Sequence, residues 1–187
     1  MLRNARNNRG FTLVELLIVV IILAILAAIV IPQFASSTED AKLSSLQTTL
    51  SSMRNTIELY YTQHGQRYPG AYKESDGTTA AATAADVQTA FVAQLVQYTD
   101  ANGKVSATKD ATYKYGPYLK SATLPKNPFV ANATDAQALL ADTTTTSITA
   151  ASSADGSTGW KFYVKIGRFI ANDNTTLSDS TTTTVSQ

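Results

Sequence analysis

The sequence predicts an α+β chain in which one long N-terminal helix carries a small head. Three observations predict it: an apolar run from Phe11 to Ile31, a one-sided apolar stripe from Leu43 to Tyr60, and an alternating stretch from Trp160 to Lys165. At 187 residues the chain has room for one head domain with a modest core. Its formal net charge of +1 supplies no basic field for a run of phosphates, so nucleic acid is not expected as the main partner. Arg3, Arg6 and Arg9 fall in the first ten residues with no acid among them. Without that stretch the balance of 15 basic and 14 acidic residues becomes 12 against 14, about −2. Cysteine is absent, which excludes disulfides, thiolate metal sites and a cysteine nucleophile without identifying a compartment.

The run FTLVELLIVVIILAILAAIVI holds about 21 residues and one charge, enough at about 1.5 Å per residue to cross a hydrocarbon core of about 30 Å. The arginines before it place the N-terminal side in the cytoplasm and the residues after Pro32 outside. A secretory signal peptide shares the basic start. Its apolar region is shorter, about 7 to 15 residues, and ends in a small-x-small cut site, whereas this run continues into a second helical pattern.

Glu15 is the informative residue of the run, because a carboxylate at membrane depth costs about 2.5 to 3.5 kcal/mol on insertion scales and calls for a partner. Neither Lys nor Arg occurs between Arg9 and Lys42. If the chain is cut between Gly10 and Phe11, the new α-amine lies four residues before Glu15 on the same helical face, or meets Glu15 of a neighbouring subunit. The alternative is that Glu15 snorkels to the interface or is protonated in the membrane.

Arg9-Gly10-Phe11-Thr12-Leu13-Val14-Glu15, followed by the apolar run and Pro32, resembles the prepilin processing signature of type IV pilins and type II secretion pseudopilins. The resemblance implies that residues 1–10 are a leader removed by a prepilin peptidase, with Gly10 before the cut and Phe11 the N-methylated first residue. It implies that Glu15 pairs with the terminal amine of an adjacent subunit, drawing each subunit from the bilayer into a homo-oligomeric filament with other pilin-like subunits at an inner-membrane assembly platform. It also implies a bend or partial melting of the helix near Pro32 in assembled filaments, and proline's missing N–H and its clash with the preceding turn favour the same place.

After Pro32 the pattern becomes one-sided. Leu43, Leu46, Leu50, Met53, Ile57 and Tyr60 recur at spacings of three and four and draw one helical stripe. The helix ends near His64-Gly65, with Pro69 blocking continuation. His64, the only histidine, reads as a cap suited to the helix dipole rather than as a ligand or base. A second amphipathic helix is expected over Asp86–Tyr98, with Val87, Ala90, Phe91, Gln94, Leu95 and Tyr98 on one side. Tyr113–Phe129 holds four tyrosine and phenylalanine side chains and three prolines, and is expected to pack on the core as an ordered loop. Residues 132–158 are dominated by Ala, Thr, Ser and Asp and are expected to form a mobile insertion. Trp160, Phe162 and Val164 form one side of a strand, Gly167 a turn, and Phe169-Ile170 a second strand, whose apolar side would cover the Leu43–Tyr60 stripe.

The expected division is therefore a leader at 1–10, a membrane and assembly half-helix at 11–31, an amphipathic half at 32–64, a head at 65–172 and a polar tail at 173–187. In the head, Gly116-Pro117-Tyr118-Leu119-Lys120, Leu124 to Phe129, and Gly159-Trp160 with Gly167 and Asn172 resemble the major, G-type pseudopilins. That resemblance implies the pilin-like α+β fold, a long helix packed on a small antiparallel sheet with loop-rich insertions. Calcium bound near the C-terminal loops also belongs to that resemblance, but no close cluster of Asp or Glu follows Phe129 to cage it, and no cofactor is expected.

The function expected is that of a structural subunit of a type II secretion pseudopilus, starting in the inner membrane with its head in the periplasm. A type IV pilus subunit serving adhesion, motility or DNA uptake is the alternative, and a membrane-anchored ligand-binding protein a third. No HExxH, GxSxG, glycine-rich phosphate loop or paired histidine suggests an enzyme.

Overall fold

The computed structural model describes residues 11–147 and 154–173. The leader, the middle of the Thr/Ala stretch at 148–153 and the tail from 174 lie outside the described residues. Two compact units divide the chain, Met1–Ala41 and Lys42–Gln187. Helix α1 covers Leu13–Gln63, so its first part belongs to one unit and its last turns, from Lys42, to the other. The backbone of Pro32 is helical.

Within the second unit the order is the end of α1, α2 (Ala84–Val96), β1 (Tyr98–Thr99), β2 (Val105–Ser106), a 3-10 turn (Asp135–Gln137), β3 (Leu139–Asp142), β4 (Trp160–Tyr163) and β5 (Arg168–Ala171). The α+β class stands, with small sheets beside the two helices. β1 and β2 form an antiparallel pair. β3, β4 and β5 form a three-stranded sheet in that order, β4–β5 antiparallel and β3–β4 parallel.

The predicted stripe is the spine of the core: Leu46, Leu50, Met53, Ile57 and Tyr60 are each 2% exposed or less. They share one cluster with Val87, Phe91 and Leu95 of α2 and with Trp160, Phe162 and Phe169 of the sheet. Removing side chains of this size from water contributes about 1.5 to 3 kcal/mol each. Phe91 lies 4.6 Å from Phe162, and Trp160 lies 5.1 Å from Phe169. The aromatic loop packs on this core as expected: Leu124 is buried, Tyr118 and Phe129 are partly buried against the cluster, and the Trp160 indole donates to the Pro125 carbonyl at 2.7 Å.

The 132–158 stretch is corrected by the fold. Its first half supplies the 3-10 turn and strand β3, with Ala136, Leu139 and Ala141 buried. Composition counts few large apolar groups there, but a strand needs only alternate positions, and Leu139 and Ala141 are the two inward ones. β4 also departs from simple alternation. Lys161 and Tyr163, on the face opposite Trp160 and Phe162, are buried as well, with the Lys161 ammonium 5.1 Å from the Tyr163 ring.

Helix ends follow their chemistry. α2 begins two residues before the expected Asp86, because Thr83 is its N-cap and forms a reciprocal capping box with Asp86. Tyr98 belongs to β1 rather than to α2. At the end of α1, Gly65 takes φ +62° and the Gln66 N–H reaches back to the Tyr61 carbonyl at 3.0 Å, a Schellman closure. The loops use one device repeatedly. Asp76, Asp110 and Asp142 each accept, on one oxygen, the N–H groups two and three residues on, at 2.7 to 2.9 Å. The Thr79 hydroxyl and those amides bring the pKa of Asp76 down to about 2.

His64 is not a charged cap. It is 1% exposed and stacks on Tyr60 with ring centroids 3.8 Å apart. Its Nδ1 lies 2.8 Å from the Tyr60 carbonyl, which can only accept, so the proton sits on Nδ1 and Nε2 accepts from the Thr99 hydroxyl at 2.9 Å. Desolvation by burial outweighs the hydrogen bond to the Tyr60 carbonyl and the nearby Asp100 charge and pushes its pKa down. A depressed folded pKa makes this contribution to stability complete above the unfolded value of about 6.5 and lost as pH falls through the folded one. Thermal melts of wild type should therefore weaken below about pH 6.5, and His64→Phe should flatten that part of the profile.

Gln94, buried in α2, ties three chain segments: its Oε1 accepts from the Gly70 N–H at 2.8 Å and its Nε2 donates to the carbonyls of Tyr72 and Gly103 at 3.0 and 2.9 Å. Gly103, at φ +92°, has no room for a Cβ, which would lie 2.5 Å from the Tyr60 hydroxyl. Gln94→Leu keeps the volume and orphans all three backbone groups. Denaturant titration should show a loss of at least about 1 to 3 kcal/mol, and an unchanged midpoint would refute the tie.

Candidate functional site

The first helical turn is built by two polar residues. Thr12 is the N-cap of α1: its carbonyl accepts the first helical bond, from the Leu16 N–H at 3.3 Å, and its hydroxyl accepts the Glu15 N–H at 3.2 Å. The Glu15 carboxylate returns to Thr12, one oxygen accepting the Thr12 N–H at 2.9 Å and the hydroxyl at 2.8 Å. This is a reciprocal capping box, which satisfies two donors at a helix start and places the negative charge at the positive end of the helix dipole. The pattern for it, T-x-x-E before an apolar run, is present in the sequence at Thr12 and Glu15.

Phe11 precedes the cap and is 83% exposed. Gly10 lies outside the described residues, and Pro32 is placed through its helical backbone alone. From Leu13 to Ile31 the helix is long and apolar enough to cross a membrane. The side chains of Leu16, Ile18, Val20, Ile22, Leu26 and Ile29, which point all round it, are each about half to two-thirds exposed. A core helix of a soluble protein would hide one face, and this one hides none. Its surface suits lipid or like helices, and its one carboxylate sits at the end of it. Among the described residues no group of three or more His, Cys, Asp or Glu is arranged to hold a metal ion.

Residues 5–31 match the family described as the prokaryotic N-terminal methylation motif. The type II secretion system core protein G of Aeromonas hydrophila is 31% identical over 124 residues, 66% of this chain and 69% of that protein. The chain belongs to the type IV pilin-like family. This pilin-like chain is also 32% identical over 100 residues to the type IV major pilin protein PilE1 of Neisseria gonorrhoeae, covering 54% of the chain and 43% of the pilin. The core protein G of Pseudomonas aeruginosa is 38% identical over 55 residues, 29% of the chain and 39% of that relative. The chain thus spans about half the length, or less, of most of these relatives. No solved structure matches it.

Thr12→Val keeps the size of the cap and deletes both hydroxyl bonds. Loss of an N-cap costs about 1 kcal/mol, roughly a five- to tenfold change in local opening. Amide exchange of Leu13 to Leu16 in detergent micelles should quicken by that factor, and Thr12→Ser should restore protection.

Proposed function

We propose that this chain is a prepilin-type structural subunit, cleaved between Gly10 and Phe11, methylated on the Phe11 amine, and polymerised into the filament of a type II secretion pseudopilus. The observation that carries the reading is Glu15, a carboxylate at the start of a helix whose apolar side chains are exposed on every side. Hydrolysis of the Gly10–Phe11 amide consumes one water and leaves a carboxylate on the leader and an ammonium on Phe11. In the uncut chain Phe11 offers Glu15 only a neutral amide. Cutting creates a cation within reach of this turn, so processing and docking are linked by charge.

Assembly then needs no chemistry from the head. Each incoming copy enters a bundle of like helices, in which a Glu15 carboxylate and a Phe11 ammonium neutralise each other between neighbours. The partners on this reading are a prepilin peptidase, other pilin-like subunits, an assembly platform and the inner membrane, with the head on the periplasmic side. No cofactor and no catalytic role are called for. A match covering 69% of a core protein G supports the pseudopilus, and the absence of cysteine agrees with it. The match to a type IV major pilin keeps a surface pilus as the second reading.

Glu15→Ala should still yield a mature protein beginning at Phe11 by mass spectrometry, while sedimentable filaments fall at least tenfold, the scale set by about 1.4 kcal/mol of lost pairing. Filaments at wild-type yield would remove the docking role, and a different first residue would remove the cut.

A further inference from the structure

The loop that joins β1 to β2 holds the chain's one Asn-Gly pair, Asn102-Gly103. Three residues, Ala101 to Gly103, bridge Asp100 and Lys104, and the Asp100 N–H donates to the Lys104 carbonyl at 3.0 Å. Gly103 supplies the left-handed conformation that closes such a loop, at φ +92°. One oxygen of the Asp100 carboxylate accepts the N–H groups of Asn102 and Lys104, at 2.8 and 2.9 Å. Asn102 is exposed, whereas Gly103 is buried.

An asparagine followed by glycine carries its own electrophile and its own nucleophile. With no Cβ on the second residue to crowd the approach, the Gly103 nitrogen can reach the side-chain carbonyl carbon of Asn102. The nitrogen gives its proton to solvent, the new C–N bond closes a succinimide ring, and the side-chain nitrogen leaves as ammonia. Water then opens the ring at one of two carbonyls. Opening at the side-chain carbonyl gives aspartate, and opening at the main-chain carbonyl gives isoaspartate, whose backbone runs through the former side chain and is one methylene longer. One water enters and one ammonia leaves, with no change of oxidation state. The Asp-Gly pairs Asp76-Gly77 and Asp155-Gly156 are poorer substrates for the same ring closure, because hydrogen bonds from Thr79 and Ser157 keep those carboxylates ionised and therefore weakly electrophilic.

The folded loop holds the pair short of this reaction. The Gly103 N–H donates to the Asp100 carbonyl at 3.2 Å, which ties up the proton that the nitrogen must lose. The Gly103 carbonyl accepts from the buried Gln94 amide at 2.9 Å, and Gly77 packs so near the Asn102 carbonyl oxygen that a Cβ there would lie 2.8 Å from it. We propose that Asn102 is a self-modification site, closed while the β1–β2 loop is seated and open to succinimide formation when the loop detaches. The isoaspartate product acts in one direction. An extra methylene between Asp100 and Lys104 carries the Gly103 carbonyl off Gln94 and leaves a buried amide without its acceptor. A head that has stayed open long enough to react is thereby marked and kept from closing. The aspartate product keeps the backbone length at an exposed position and closes as before.

The test uses the full chain in detergent, held in mildly alkaline buffer. Peptide mapping by mass spectrometry should show ammonia exchanged for water at Asn102 at least about tenfold faster in guanidinium chloride than in native buffer, the factor that about 1.4 kcal/mol of loop-closing free energy imposes. In native buffer Gln94→Leu, which frees the Gly103 carbonyl, should react faster than the wild type. Chain aged in denaturant and returned to native buffer should contain an isoaspartate fraction, identified by elution against synthetic peptides, that melts below the unaged chain. Asn102→Asp should melt close to the wild type, which separates the longer backbone from the added charge. Equal rates in the two buffers, no reaction at Asn102 in denaturant, or an isoaspartate fraction that melts with the unaged chain would each overturn the site.

Discussion

A carboxylate must be satisfied where water is scarce, and the start of this chain is organised around that constraint. Thr12 and Glu15 answer it within one turn, by exchanging hydrogen bonds across the first helical residues. The answer is partial, because hydrogen bonds leave the charge in place. The Thr12–Glu15 box lets the helix start cleanly and keeps the charge at the N-terminal end of α1, the side on which the proposed function puts its cation. One chain therefore carries the carboxylate in an orderly local structure and still has an unmet electrostatic demand.

The head answers a different demand. Its core is the buried stripe of α1, and the stripe is covered from two directions, by α2 and by the β3–β5 sheet. Buried polar side chains of the head tie distant segments together. Gln94 joins α2 to the loops at Gly70 and Gly103, His64 joins the end of α1 to Thr99, and Asn127 donates to the Gly159 carbonyl and to Asp173. Arg54 and Arg168 stand apart from these satisfied groups, since their hydrogen-bonding capacity is only partly met inside the chain.

What can be read from the sequence follows from how local the signals are. The α1 stripe, the buried face of α2 and the β4–β5 hairpin each repeat with their own period, and each is found where that period ends. The family motif at residues 5–31 is legible because basic, small, aromatic and acidic residues stand in fixed order against an apolar run. β3 is not legible. Its partner β4 lies parallel to it and distant in sequence, and its inward residues are one leucine and one alanine. The Thr12 cap is hidden because a short-range hydrogen-bond motif competes with a stronger long-range argument about the same glutamate. His64 misleads because the dipole is visible in a sequence, whereas burial among Tyr60, Tyr115 and Tyr118 is a property of the assembled fold.

The aspartate-led turns have a consequence for how such a head can change over generations. The carboxylates of Asp76, Asp110 and Asp142 are each fastened by amides within three residues of themselves, so that part of the turn is written in a tetrapeptide, although Asp142 also pairs with β4 and the Asp76 turn is flanked by the segment at Asn102 to Val105. A loop of this kind can be swapped, extended or recoloured with new side chains while its neighbours keep their form. The outer face is free to drift, and the seam along α1 stays under constraint.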